Sequence, residues 1–183
     1  MTTRTHDRVM DRIAAMFDKP IIQNDLRGLY AEALVSELVG RDWQNVGSAW
    51  SGWDLEHTDG TRLEVKNSAA RQSWSTPESK KVLARFKIGA PKGNWENGSN
   101  WVNSRGRLAD AYIFAWHGDE TDAADHRDAG QWEFFVVRSD RLPEQSYIGL
   151  NPLSRIASSV SASALRSRVE TLREEIQSER NAA

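Results

Sequence analysis

The stretch from Trp53 to Ser68 constrains this 183-residue chain more than any other. Residues Trp53–His57 and Arg62–Ser68 alternate in polarity as strands do, and Thr58-Asp59-Gly60 separates them. A three-residue loop ending in glycine favours a type I turn closed by a left-handed glycine in a bulge. On that loop His57 pairs with Thr61, Glu56 with Arg62 and Leu55 with Leu63, so that Asp54 comes opposite Glu64. The charge pair and the leucine pair each favour this register, because directly opposed side chains interact. Alternation then puts Arg62, Glu64 and Lys66 on one face of the second strand, with Leu63 and Val65 on the other.

Asp54, Glu64 and Lys66 therefore meet on one side of one hairpin. Two neighbouring carboxylates repel, and a hard divalent cation such as Mg2+ or Mn2+ relieves that repulsion through oxygen ligands. The Lys66 ammonium, one strand repeat from Glu64, is placed to hold or polarise a water. A metal beside a lysine suits attack on a phosphodiester: the metal lowers the pKa of the water, and both cations stabilise the developing charge. A Glu-x-Lys pair on a strand face is, by itself, also an ordinary solvated ion pair. The register, the apolar opposite face and an acid-bearing helix upstream are what favour the site.

That helix runs between Asn24, an N-cap residue type, and Gly40, a C-terminal stop. Leu26, Leu29, Tyr30, Ala33, Leu34 and Leu38 give it a wide apolar surface. Asp25, Glu32 and Ser36 share a narrow polar stripe, whereas Glu37 falls between Tyr30 and Ala33. An earlier helix over 5–17 carries Val9, Ile13 and Met16 on one face and stops before Pro20. Residues 83–89, 109–117 and 132–138 read as further strands. Gly118–Gln131, with His126 and its aspartates, reads as a solvated acidic loop, and the chain after Pro143 reads as irregular. A last helix over 161–180 spaces Leu165, Val169, Leu172 and Ile176 for docking on the body or on a second subunit.

With 39% hydrophobic and 27% charged residues, the chain suits a single domain over 1–183. It has no cysteine, which excludes disulfides, thiolate metal sites and cysteine nucleophiles. No apolar run reaches membrane-spanning length, the N-terminus lacks an apolar signal core, and a cytoplasmic location is expected.

The helix acid, WDL and LEVKNSAARQSW together resemble the restriction-endonuclease-like, or PD-(D/E)XK, nuclease superfamily. Within it, the chain is similar to a prokaryotic group with an RG-x-x-AE helix, a W-x-x-WDL strand and an EVK-S-A-x-x-QSW stretch. Here these are Arg27-Gly28-Leu29-Tyr30-Ala31-Glu32, Trp50-Ser51-Gly52-Trp53-Asp54-Leu55 and Glu64-Val65-Lys66-Asn67-Ser68-Ala69-Ala70-Arg71-Gln72-Ser73-Trp74. The likeness covers residues 24–155. It implies an α/β (α+β) fold, a mixed central β-sheet flanked by helices in the order αβββαβ. It implies Asp54 and Glu64 as ligands of Mg2+ (or Mn2+), with the Val65 carbonyl as a third. Lys66 would position or activate the attacking water, and Glu32 would be the helix acid, with Glu37 as second choice. The implied activity is a metal-dependent DNA endonuclease. Three departures stand out. Trp53 occupies the place of the superfamily's proline, Asn67 stands where the narrower group has serine, and 91–108 reads as a Gly/Asn-rich loop where a helix is expected.

The net charge of −2 is unevenly spread. From Val65 to Arg107 there are nine basic residues against two acids, a segment of +7 that leaves −9 for the remainder. A basic segment beside the site is what a phosphate backbone requires, so double-stranded DNA is the expected partner. Arg71, Gln72, Ser73, Lys80, Lys81, Arg85 and Lys87 are the candidate contacts. Trp95 and Trp101 could stack on bases or cap the core. Cutting two strands is served by two sites related by a two-fold, so a homodimer is expected. The competing readings are a non-catalytic nucleic-acid-binding subunit of the same fold and an interaction protein that dimerises through its C-terminal helix.

Overall fold

The computed structural model describes residues 2–46, 52–76, 78–79, 82–90, 93–96, 100–103 and 106–182, with the backbone alone for 2, 3, 94–96 and 100. The hairpin forms in the expected register. Strand β1 (Trp43–Asn45) runs antiparallel to β2 (Leu55–His57), and β2 pairs antiparallel with β3 (Arg62–Ala69), Leu55 facing Leu63 and Glu56 facing Arg62. The turn closes as a bulge: His57 N–H donates to the Thr61 carbonyl (2.8 Å), Gly60 N–H donates to the His57 carbonyl (2.8 Å), and Gly60 takes φ +83°. That left-handed φ is one that side chains with a Cβ resist.

Two helices precede the hairpin, α1 (Thr2–Met16) and α2 (Asn24–Val39). The second ends at Gly40, whose φ of +103° admits the chain reversal. Its N-cap is Gln23 rather than Asn24, and the Asn24 side chain instead accepts from Arg27. After β3 come β4 (Arg85–Lys87), β5 (Asn94–Glu96) and β6 (Asn100–Val102), then β7 (Ala111–His117), β8 (Trp132–Arg138), β9 (Tyr147–Gly149), α3 (Leu150–Ile156), β10 (Val160–Ser161) and α4 (Ala162–Ala182).

The fold is mixed α/β. Its main sheet has six strands in the order β1-β2-β3-β7-β8-β10, antiparallel throughout except for the parallel pair β3–β7. Both faces are covered, which explains why β7 is buried along its whole length. On one face α2 and α4 pack against Leu63, Val65, Ile113, Phe134 and Val136. The apolar stripe of α4, Leu165, Val169, Leu172 and Ile176, is buried there, so of its two readings docking on the body is the one realised. On the other face the β4–β9 ribbon and α3 bring Phe86, Ile148 and Leu153 onto Phe114, Phe135 and Val137.

Three sequence expectations are corrected. The αβββαβ order places a helix between β3 and β7, but among the described residues that crossover carries β4 and the β5–β6 hairpin instead. The Gly/Asn-rich sequence there lacks the apolar periodicity a helix needs. The region after Pro143 is ordered as β9, α3 and β10. The inward face of α2 is Arg27, Ala31, Val35 and Val39, while Leu29 remains 59% exposed.

Candidate active site

The β2–β3 ladder ends at Leu55–Leu63, and the site begins where it ends. Asp54 N–H donates to the Leu63 carbonyl (2.9 Å). Its carboxylate then takes the place of a ladder carbonyl, with Oδ2 accepting from Val65 N–H at 2.7 Å. A strand residue directs its N–H and C=O to the same side, so the Val65 carbonyl also faces the gap beside Asp54. Glu64 and Lys66 project from the opposite face to Leu63 and Val65, and Lys66 Nζ donates to Glu64 Oε1. Glu32, half-buried on α2, interacts electrostatically with Asp54, Glu64 and Lys66. The structure thus brings together the four residues Asp54, Glu64, Lys66 and Glu32. Glu37, the other acid of this helix considered, is exposed.

The site holds more negative charge than its cation offsets. Burial pushes the Glu64 carboxyl up to about 7, with Lys66 opposing and Asp54 adding to the rise. Burial likewise raises Glu32 to about 7, helped by Asp54 and opposed by Lys66. Asp54 is raised by burial, against its hydrogen bond from Val65 and the attraction of Lys66. Poorly solvated carboxylates crowded around one ammonium are a donor set that suits a hard cation. As they stand, the acids do not close on a shared point: among the described residues no group of three or more His, Asp or Glu is set to hold a metal ion.

Two neighbours of the site had no role assigned from the sequence. Tyr112 lies opposite Glu64 in the parallel register, where burial and the Glu64 charge push its phenol up to about 12. It therefore remains a neutral hydroxyl. Arg27, 4% exposed, holds up the far end of β3: Nε donates to Asn67 Oδ1 (3.0 Å) and NH1 to Gln72 Oε1 (2.9 Å). Asn67, the departure from serine, is thus the strand's anchor to α2.

The candidate nucleic-acid contacts separate into several groups. Gln72 is corrected from surface contact to buried strut: its amide donates to the Ala69 carbonyl (2.6 Å) while Arg27 occupies its oxygen. Arg71 pairs with Asp122 (2.7 Å) and donates to the Thr121 carbonyl. Arg107, counted in the basic segment, is withdrawn from it by donating to the Ile88, Ser139, Leu142 and Pro143 carbonyls. Arg85 and Lys87 are exposed on β4, whose Phe86 packs edge-on to Phe114, the register partner of Lys66. The Arg85 guanidinium lies over the Tyr147 ring at 3.8 Å. Ser73 is exposed, beside a Trp74 that is 63% exposed. Lys80, Lys81, Trp50, Lys92 and Arg105 lie outside the described residues, as does the Trp95 side chain.

The loop Gly118–Gln131 is not wholly solvated. His117 and His126 are fully buried, ring to ring at 4.8 Å and against Trp132. Burial lowers both, His126 to about 4, with the charges of His117 and Arg27 adding to its shift. No described helix is long and apolar enough to cross a membrane. Neither a protein-family model nor a curated protein matches the chain.

Proposed function

We propose that the chain is a metal-dependent nuclease with a restriction-endonuclease-like core, acting as an endonuclease on double-stranded DNA. One observation carries this reading: Asp54 and Glu64 are half-buried at the end of an antiparallel hairpin, with Lys66 on Glu64 and Glu32 within electrostatic reach of all three. A helix, three antiparallel strands and a fourth strand parallel to the third agree with that core, although the crossover helix is replaced.

The donors fit Mg2+ or Mn2+. Asp54, Glu64 and the Val65 carbonyl would hold the ion, all of them oxygen ligands. When bound, such an ion supplies Lewis acidity to a scissile phosphate and lowers the pKa of water beside it. Lys66 then exchanges part of its hold on Glu64 for an incoming water or phosphate oxygen, where its positive charge opposes the growing negative charge at phosphorus. Glu32, half-buried on α2 near these acids, would accept a proton from the attacking water. Tyr112 keeps its proton and closes the apolar side of the site.

The test is nicking and linearisation of supercoiled plasmid with Mg2+ or Mn2+, with Glu64→Ala and Lys66→Ala as controls. Cleavage that needs the metal and falls at least about 100-fold in both variants is expected. Metal-independent cleavage, or cleavage untouched in both variants, overturns the mechanism. DNA binding without cleavage selects the non-catalytic binding subunit instead.

A further inference from the structure

The sheet face that carries Glu64 and Lys66 continues past the site. Ser68 follows them on β3, and Tyr112, Phe114 and Trp116 lie on the same face of β7. Trp116 is the register partner of Ser68, one strand repeat or about 7 Å beyond the partner of Lys66. It is 9% exposed, and it lines a cleft of about 420 Å3 with Leu83 and Ala84 ahead of β4 and Leu150 and Pro152 of α3. Glu120 and Asn151 are the polar side chains of that lining. A mostly apolar cleft of this size with a few polar groups is the usual form of a ligand pocket.

Trp116 is set apart from the other tryptophans of the sheet. Trp43, Trp53 and Trp132 each donate the indole N–H to an acceptor. Trp116, though nine-tenths buried, donates to none among the described residues, whereas a buried indole N–H ordinarily finds a partner. Gly118, which also lines the cleft, keeps that N–H open: a Cβ there would lie 2.9 Å from Trp116 Nε1. The cleft thus offers an indole, a free donor and aliphatic walls, which suit a flat ring with acceptors on its edge.

Strand β4 connects the cleft to the site. At one end Arg85 N–H donates to Ser68 Oγ (3.4 Å), beside Trp116. At the other end the Ile88 carbonyl accepts from Arg107, whose charge reaches Tyr112 beside Glu64. Lys87 and Arg85 therefore step from the site towards the cleft, both exposed and about 7 Å apart along the strand. Two steps of a B-form strand, at about 3.4 Å each, cover the same distance. The Arg85 guanidinium stacks by its face on Tyr147 at 3.8 Å, which leaves its N–H edge for a phosphate. Cations leading to the rim of an apolar cleft match a nucleotide, with its charged phosphate and uncharged ring.

We propose that this cleft takes an unpaired nucleobase of the strand engaged at Glu64 and Lys66, held against Trp116 with its phosphate on Arg85. The substrate class is then duplex DNA that carries an unpaired or extruded nucleotide. The inference rests on the nuclease reading of the site and adds a substrate preference to it.

The test is fluorescence anisotropy of the full chain in metal-free buffer, so that binding is read without cleavage. Three labelled duplexes of one length are compared: fully paired, with one unpaired base at the centre, and with an abasic nucleotide in its place. The unpaired base should tighten binding at least about tenfold over the paired duplex, and the abasic nucleotide should not. Trp116→Leu and Leu83→Glu should each cut that preference below about threefold. Leu83 is 76% exposed, so its variant should unfold at the native temperature, and its loss of preference is not a loss of fold. Trp74→Ala, at the exposed tryptophan after β3, should keep the preference. Equal affinity for paired and unpaired duplexes, an equal gain from the abasic nucleotide, or a preference that survives Leu83→Glu and Trp116→Leu overturns the proposal. So does a preference that Trp74→Ala abolishes. The plasmid assay reads cleavage of paired DNA separately: cleavage without the preference sinks the cleft alone, and the preference without cleavage sinks the nuclease reading alone.

Discussion

At the residue scale the site costs the fold stability, and the cost is measurable without any assay of activity. Glu64 ionises near 7 in the native chain against 4.5 when unfolded. Above pH 7 the native state holds a charge that the unfolded chain solvates better. As pH falls from 7 towards 4.5 the native state takes up its proton first, and stability is regained; below 4.5 both states are protonated. Glu64→Gln removes the half-buried charge. In metal-free buffer the variant should be more stable than the native chain at about pH 8, by roughly 1–2 kcal/mol, with the advantage vanishing near pH 4.5. Urea unfolding at both pH values checks it, and a difference that does not depend on pH counts against a strained carboxylate. The meeting of Asp54, Glu64 and Lys66 was legible in the sequence, because a period of two and a glycine-closed turn are local rules. Arg27, Gln72 and Tyr112 were not. Their partners lie on other elements: the parallel register of β3 and β7 sets Tyr112 beside Glu64, and Arg27 reaches Asn67 and Gln72 from α2, and neither approach leaves a local trace.

At the scale of elements, α1 and α4 pose the same question and receive opposite answers. Both carry apolar residues at helical spacing, and periodicity predicts an apolar face without saying what it meets. In α4 the stripe fills the space between the sheet and α2; in α1 it stays exposed. Truncation should separate them. Leu165→Ala, at a side chain with no exposed surface, should cost about 2–5 kcal/mol. Ile13→Ala, measured in dilute protein, should stay within about 0.5 kcal/mol of the native chain. Chemical denaturation of both variants at one low concentration settles the contrast; a large loss at Ile13 would mean that α1 belongs to the core. The crossover marks the limit of motif reading. The resemblance places a helix there, whereas the local sequence offers Gly93, Gly98 and Gly106, several asparagines and no apolar period. Among its described residues it folds as short strands.

At the scale of the whole molecule the question is where the positive charge of the 65–107 segment goes. Counting charges gives +7, but folding ties up part of it internally. Arg107 is enclosed by four carbonyls, and Arg71 is paired with Asp122. Arg85 and Lys87 remain exposed, both on β4, on the layer that covers the Glu64 and Lys66 face of the sheet. A phosphate backbone led across that layer would meet them on its way to the site. Each phosphate contact releases about 0.9 of a counterion, so the logarithm of the binding constant falls with the logarithm of salt by about that much per contact. The double variant Arg85→Ala with Lys87→Ala should therefore bind duplex DNA more weakly at low salt and flatten the salt slope by about 1.8. Glu133→Ala, on an exposed position of β8, should leave that slope unchanged. Fluorescence anisotropy between about 50 and 200 mM salt, the range over which such contacts change affinity most visibly, reads both. An unchanged slope in the double variant would place the nucleic-acid path away from β4.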